Sequence, residues 1–172
     1  MGRDKSLIEI GGSPLAVRVA RALGAAGAAH VVAVGGDGAA LRASGLEAIP
    51  DDTPGEGPLG GILTAFRLAS DDVVVVLACD LLEASGPAIE AVVTALHRAP
   101  RAAVAWPELH GRAQPLHAAW RVSLAGPPLR QAFDAGERSP SRASSALPLV
   151  VVHDLPRAAL DDADRPEDLP RR

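Results

Sequence analysis

The stretch Val73-Val74-Val75-Val76-Leu77-Ala78, which runs directly into Cys79 and Asp80, decides the fold class of this chain. A continuous apolar run rich in β-branched residues is typical of a strand that is buried on both faces of a parallel sheet. Helical patterns flank it at residues 59–68 and, after the cap residue Ser85, at residues 85–97. A buried strand between two helices predicts an α/β fold.

The rest of the chain continues this alternation. Further strands are predicted at residues 30–34, 46–49, 102–105, 116–120 and 149–152, and further helices at residues 15–23 and 39–43. Pro127-Pro128 predicts that a later helix begins only at Leu129. We therefore predict one domain over residues 1–172, with a three-layer α/β/α, Rossmann-like fold and a mostly parallel sheet.

Composition excludes several classes of protein. The chain has 172 residues, a formal charge of −4 and one cysteine, Cys79. It therefore lacks the basic surface of a nucleic-acid-binding protein and cannot form an internal disulfide. No apolar run in the sequence approaches the roughly 18 residues of a membrane helix, and we expect no signal peptide. We expect a cytoplasmic protein without nucleic-acid or membrane partners.

Acidic residues follow three of the predicted strands. They are Asp37, Asp51 and Asp80, and ligands of open α/β sheets bind beyond the carboxyl ends of strands. Asp80 is the strongest candidate, because a carboxylate fixed at the end of a buried strand can hold Mg²⁺ while substrate phosphates supply the other oxygens. The alternative is that Asp80 only caps the following turn or helix.

Lys5 is the one lysine among 17 basic residues. Lysine offers a compact point charge where arginine offers a planar fork, so a lysine kept in an arginine-rich chain is a candidate functional residue. The alternative is an ordinary solvated side chain.

A glycine-rich turn, Gly57-Pro58-Leu59-Gly60-Gly61, precedes a predicted helix. Such a turn lets the backbone approach a flat ligand, although it is also common in loops without a binding function.

Six segments together resemble the MobA-like nucleotidyltransferases, and they occur in the family's order over essentially the whole chain. They are Met1-Gly2-Arg3-Asp4-Lys5, Gly11-Gly12-Ser13-Pro14-Leu15, Asp51 with Gly57-Pro58-Leu59-Gly60-Gly61, Ala78-Cys79-Asp80-Leu81, Gly111-Arg112-Ala113-Gln114-Pro115-Leu116, and Asp164-Arg165-Pro166-Glu167-Asp168-Leu169. The resemblance implies Mg²⁺-dependent transfer of GMP from GTP to the phosphate of a molybdopterin-type acceptor, with release of pyrophosphate.

The resemblance also implies roles for individual residues. Lys5 and Asp80 would be catalytic, Lys5 by neutralising phosphate charge and Asp80 by holding Mg²⁺. Nucleotide contacts would come from Lys5, Asp37, Asp51, Gly57, Pro58, Leu59, Gly60 and Asp80. Acceptor contacts would come from Arg112, Gln114, Pro115, Asp162 and Asp164. His110, His117 and His153 are assigned no role.

The family's first strand and its glycine-rich phosphate loop would precede Met1. We expect the natural start about 10–20 residues upstream, enough for a short strand and its loop.

Alternative functions are cytidylyl or sugar-phosphate nucleotidyl transfer on the same fold, or nucleotide binding without catalysis. Transient contact with molybdoenzyme maturation proteins is a further possible partnership. A generic dinucleotide-binding domain is disfavoured, since no G-x-G-x-x-G follows a strand.

Overall fold

The computed structural model describes residues 5–161. Its helices are α1 (Leu15–Ala25), α2 (Gly38–Ala43), α3 (Pro58–Leu68), α4 (Gly86–Arg98), α5 (Val122–Asp134) and α6 (Pro140–Ala143), with 3₁₀ turns at Lys5–Leu7 and Arg157–Ala159. Its strands are β1 (Glu9–Ile10), β2 (Ser13–Pro14), β3 (Ala33–Val34), β4 (Ala48–Ile49), β5 (Val73–Leu77), β6 (Val104–Leu109), β7 (Arg112–Ala113), β8 (His117–Arg121) and β9 (Leu149–Val152). Within these residues, none of the helices has the length and apolar character that a bilayer crossing requires.

Strand β5 packs against helices on both faces of the sheet, as the apolar run predicts. Successive side chains of a strand point to opposite faces of the sheet. Val74 and Val76 accordingly pack into a cluster with α3 and α5, whereas Val73 and Val75 pack into a second cluster with α4. The prediction of helices on both faces of a sheet is confirmed.

The sheet mixes parallel and antiparallel pairs, so the prediction of a mostly parallel sheet is confirmed only in part: β5, β6 and β9 run in one direction, whereas β7 and β8 run in the other. β8 pairs antiparallel with both β5 and β6, while β9 pairs parallel with β6. Residues 110–116, which include β7, are the whole connection between β6 and β8. A parallel return needs a crossover of about a dozen residues or more, so this short connection forces an antiparallel return.

Helix α5 begins seven residues earlier than the proline pair predicts. Pro127 and Pro128 lie inside it, where each removes a backbone donor. The first turn is held from outside the helix. The backbone N–H of Val122 donates to the Asp72 carbonyl at 2.7 Å, and that of Ser123 donates to the Asp72 carboxylate at 2.8 Å. Burial of an apolar face of α5 in the core further offsets the missing bonds.

An apolar slot of about 650 Å³ separates β3 from β5. Side chains of α1, α3 and α4 also line it. Within the described residues, β3 is paired with β4, β5 is paired with β8, and no ladder joins β3 to β5. The slot therefore has a strand edge on either side and helices above and below.

Candidate active site

Lys5 and Asp80 meet at the carboxyl end of β5. Asp80 lies three residues beyond the last residue of that strand, and its Oδ2 is 3.8 Å from Lys5 Nζ. The side chains of Lys5 and Asp80 are 32% and 25% exposed, so both are fixed by the fold yet open to a ligand. The structure thus brings together the two residues that the sequence singles out as catalytic.

The donor set at Asp80 fits a cation that takes most of its ligands from substrate. Within residues 5–161, no group of three or more histidine, cysteine, aspartate or glutamate side chains could form a cage for a metal. Mg²⁺ is commonly held by one or two carboxylates, with phosphate and water oxygens completing its octahedron. A single strand-end carboxylate beside a lysine matches that pattern.

Asp51 organises the loop in front of α3. Its Oδ1 accepts a hydrogen bond from the backbone N–H of Thr53 at 3.0 Å and lies 2.9 Å from the Thr64 hydroxyl. That hydroxyl belongs to a fully buried side chain and also accepts from the backbone N–H of Asp52 at 3.1 Å. Asp51 therefore shapes the loop that carries Gly57 and Pro58, and sequence reasoning missed Thr64 as its anchor.

Close packing explains the glycine at position 60. A Cβ added to Gly60 would collide with the Thr53 hydroxyl, whereas a Cβ at Gly61 meets nothing within 4 Å. Gly57, at the helix N-cap, has a φ of 83°, which favours glycine. Gly57 and Gly60 are therefore required by the loop itself, and Leu59 anchors α3 in the core.

A second segment supports this loop from the outside. The Arg138 guanidinium donates to Glu56 at 2.5 Å and lies over the Phe133 ring, 4.1 Å from its centroid. Glu137 accepts hydrogen bonds from the Arg142 guanidinium and from the backbone N–H groups of Ser139 and Arg138, which lowers its pKa to about 2. Sequence reasoning did not identify this support, since Arg138 is 82 positions from Glu56.

Asp37 caps α2. Its Oδ1 accepts hydrogen bonds from the backbone N–H groups of Ala39 and Ala40 at 3.1 and 3.0 Å. It is exposed and follows β3, so it stands on the far side of the slot from Asp80. The structure gives Asp37 a capping role, and its contact with a nucleotide remains a prediction.

The segment from Arg112 to Pro115 meets the glycine-rich turn at a second, smaller cavity of about 150 Å³, which we call the acceptor-side cavity. Its lining comprises Pro58, Ala78, Leu81, Gln114, Pro115, Leu116, His117, Pro140 and Leu160. Arg112 is exposed on β7 and does not line it, although the Arg112 carbonyl accepts a hydrogen bond from Gln114 Nε2 at 3.1 Å. Asp162 and Asp164 lie outside the described residues.

Solved structures of nucleotidyltransferases share this fold. Molybdopterin-guanine dinucleotide biosynthesis protein A from Archaeoglobus fulgidus matches with a TM-score of 0.76 at 23% identity, over 97% of this chain and 87% of that one. The 2-C-methyl-D-erythritol 4-phosphate cytidylyltransferase from Thermus thermophilus matches with a TM-score of 0.74 at 18% identity, over 95% of this chain and 89% of that one. The fold is that of an α/β nucleotidyltransferase.

Sequence similarity then fixes the family. Residues 1–148 match the model of the MobA-like NTP transferase domain, and the chain belongs to that family. It is 30% identical to the molybdenum cofactor guanylyltransferase of Cereibacter sphaeroides over 99% of this chain and 86% of that protein. It is 33% identical to the corresponding enzyme of Pseudomonas putida over 83% of this chain and 73% of that protein. The chain is a nucleotidyltransferase.

Proposed function

We propose that this enzyme transfers GMP from GTP to the phosphate of a molybdopterin cofactor in a Mg²⁺-dependent reaction. The juxtaposition of Lys5 and Asp80 at the carboxyl end of β5 carries the proposal, because it supplies one cation and one metal-binding carboxylate at 3.8 Å. The relatives named molybdenum cofactor guanylyltransferase support guanine as the base and molybdopterin as the acceptor.

The reaction is an in-line displacement. A phosphate oxygen of the acceptor attacks the α-phosphorus of GTP, the new P–O bond forms, and the bond to the β-phosphate breaks with its electrons leaving on pyrophosphate. No side-chain nucleophile is needed, so the residues act by positioning the phosphates and compensating their charge. Bound Mg²⁺ supplies Lewis-acid polarisation of the phosphate oxygens.

Within this chain, Asp80 would hold the cation, and Lys5 would stabilise negative charge that develops on the phosphates. The Asp51-supported turn from Gly57 to Gly60 would present backbone groups to guanine. Asp37 would contact the nucleoside across the slot. The acceptor would contact the segment from Arg112 to Pro115, which adjoins the glycine-rich turn at the acceptor-side cavity. Acceptor contacts by Asp162 and Asp164, which lie outside the described residues, remain part of the proposal.

A transfer assay tests this function. The protein is incubated with GTP labelled at the α-phosphate, Mg²⁺ and molybdopterin, and both labelled product and pyrophosphate are measured. We expect both to form together with GTP and to be lost in Asp80→Ala. Equal or faster transfer from CTP would instead identify a cytidylyltransferase, the activity named for the Thermus thermophilus structure.

We also propose that the slot between β3 and β5 is filled by an apolar strand located upstream of Met1 in the complete protein. Lys5, the first described residue, lies at the carboxyl end of β5. A strand that preceded Lys5 and ran parallel to β5 would therefore end at the same end of the sheet as Lys5. The slot is lined largely by alanine, valine and leucine, which suits an apolar occupant. Its insertion would pair the edges of β3 and β5.

Hydrogen exchange tests this part of the proposal. Adding the residues encoded in frame upstream should slow amide exchange in β3 and β5 and raise the Tm, while exchange in β9, remote from the slot, stays unchanged. An in-frame stop codon directly upstream of Met1 would contradict the proposal, as would unaltered exchange in both strands.

A further inference from the structure

His117 is a buried polar residue for which the mechanism above has no use. It opens β8 opposite Leu77, and only 2% of it is exposed. Among residues 5–161, neither ring nitrogen has a hydrogen-bond partner. Burial lowers its pKa to about 4, so the ring is neutral at pH 7, with one donor and one acceptor nitrogen.

An unpartnered buried imidazole is costly to the fold. A buried donor or acceptor without a partner destabilises a protein by about 1–3 kcal/mol, and an apolar ring of similar size would avoid that penalty. Other buried side-chain nitrogens also lack partners within the described part of the chain, among them those of Trp106 and Trp120. His117 differs from both tryptophans because it lines the acceptor-side cavity, which neither tryptophan does.

The surroundings of His117 define the ligand. The acceptor-side cavity has a volume of about 150 Å³ and is otherwise mostly apolar, with Leu81, Pro115 and Leu160 among its walls. An apolar cavity of roughly 150 Å³ can hold one six-membered ring. A consecutive run from Gln114 to His117 supplies four of its lining residues, so the cavity belongs chiefly to the acceptor side of the site.

We propose that His117 is a specificity-determining residue, which forms a hydrogen bond with the edge of the acceptor's nitrogen heterocycle as that ring enters the acceptor-side cavity. The inference rests on the proposed function, because that function supplies an acceptor with a pterin ring. A ring without donors or acceptors on its edge would leave the imidazole unsatisfied and would be rejected.

Binding measurements test this role without requiring turnover. Pterin and Mg²⁺-GTP are titrated separately into the unaltered protein, His117→Phe and His117→Gln, with His153→Gln as a control at an exposed histidine. Losing one neutral hydrogen bond should weaken pterin binding about 3- to 10-fold in His117→Phe. GTP binding should stay within about 2-fold, and His117→Gln, whose amide can donate and accept, should recover part of the lost affinity.

The Tm of His117→Phe provides a second readout, because the Tm would fall if His117 had only a structural role. His117→Phe should raise the Tm by about 2–4 °C, because it removes an unsatisfied buried group. Unchanged pterin affinity, equal weakening of GTP, a lowered Tm or no pterin binding by the unaltered protein would overturn the proposal. Failure of guanylyl transfer with pterin binding intact would count against the proposed function instead.

Discussion

Replacing Asp80 with asparagine should abolish the strengthening of GTP binding by Mg²⁺ and should strengthen GTP binding when Mg²⁺ is absent. In the absence of metal, the Asp80 carboxylate repels the triphosphate, and asparagine removes that repulsion. Oxygen ligands of one Mg²⁺ lie roughly 3–4 Å apart, given metal–oxygen distances of about 2.1 Å. At about 4 Å, two unit charges interact by about 1 kcal/mol in water and about 4 kcal/mol at an effective dielectric constant of about 20.

Because Asp80 is partly exposed, we expect the repulsion between its carboxylate and the triphosphate to lie near the lower of these two energies. Without Mg²⁺, we therefore expect Asp80→Asn to bind GTP about 5-fold more tightly than the unaltered protein, which corresponds to about 1 kcal/mol. With Mg²⁺, the variant should gain almost no affinity, because a neutral amide oxygen is a much weaker ligand for Mg²⁺ than a carboxylate. Isothermal titration with GTP in EDTA and in excess Mg²⁺ measures both effects.

Glu83→Gln is the matched control, since it removes one negative charge from an exposed position three residues along the chain. Its metal dependence should equal that of the unaltered protein. The ion pair between Lys5 and Asp80 is partly exposed and contributes at most about 1 kcal/mol to the free energy of unfolding. Asp80→Asn and Glu83→Gln should therefore both remain folded at about 25 °C. If Asp80→Asn kept the full enhancement by Mg²⁺, Asp80 would not be the metal ligand.

Three further predictions follow from the same geometry. Lys5→Ala should lower kcat/KM for the transfer reaction about 10²-fold. Lys5→Arg should retain only part of the activity, because the planar guanidinium does not reproduce the compact charge of the lysine ammonium group. Steady-state kinetics of the transfer reaction measure both effects. Gly60→Ala should destabilise the fold by about 1–3 kcal/mol in urea unfolding, while Gly61→Ala, which meets open space, should be neutral or stabilising. Glu137 has a lowered pKa of about 2, so the stability it provides is complete above its ordinary pKa and disappears as the pH falls towards 2. The difference in Tm between the unaltered protein and Glu137→Gln should therefore vanish near pH 2, and a constant difference would contradict the assigned contact with Arg142.

Local patterns predicted most of the elements, because burial on two faces leaves a clear signature in sequence. The run that forms β5 is apolar at every position, and its side chains do reach clusters on both sides. Helix α4 was predicted at residues 85–97 and spans Gly86–Arg98. The strand at residues 30–34 shortens to Ala33–Val34, because its parallel ladder with β4 involves only two residues of each strand.

Features that depend on distant contacts could not be predicted in this way. The start of α5 depends on Asp72, which caps it from 50 positions away, so the proline pair alone was misleading. The Asp51–Thr64 contact depends on a folded loop, and the burial of His117 depends on strand order. The pairing of Lys5 with Asp80 was reachable only through the family resemblance, because 75 positions separate the two residues.

The most direct test of the central claim is a titration of the protein with GTP, CTP and UTP, each with and without Mg²⁺. The similarity to molybdenum cofactor guanylyltransferases predicts tightest binding of GTP, and the proposed role of Asp80 predicts a gain in affinity when Mg²⁺ is present. Equal affinity for all three nucleotides, or GTP binding that Mg²⁺ does not strengthen, would contradict a Mg²⁺-dependent guanylyltransferase.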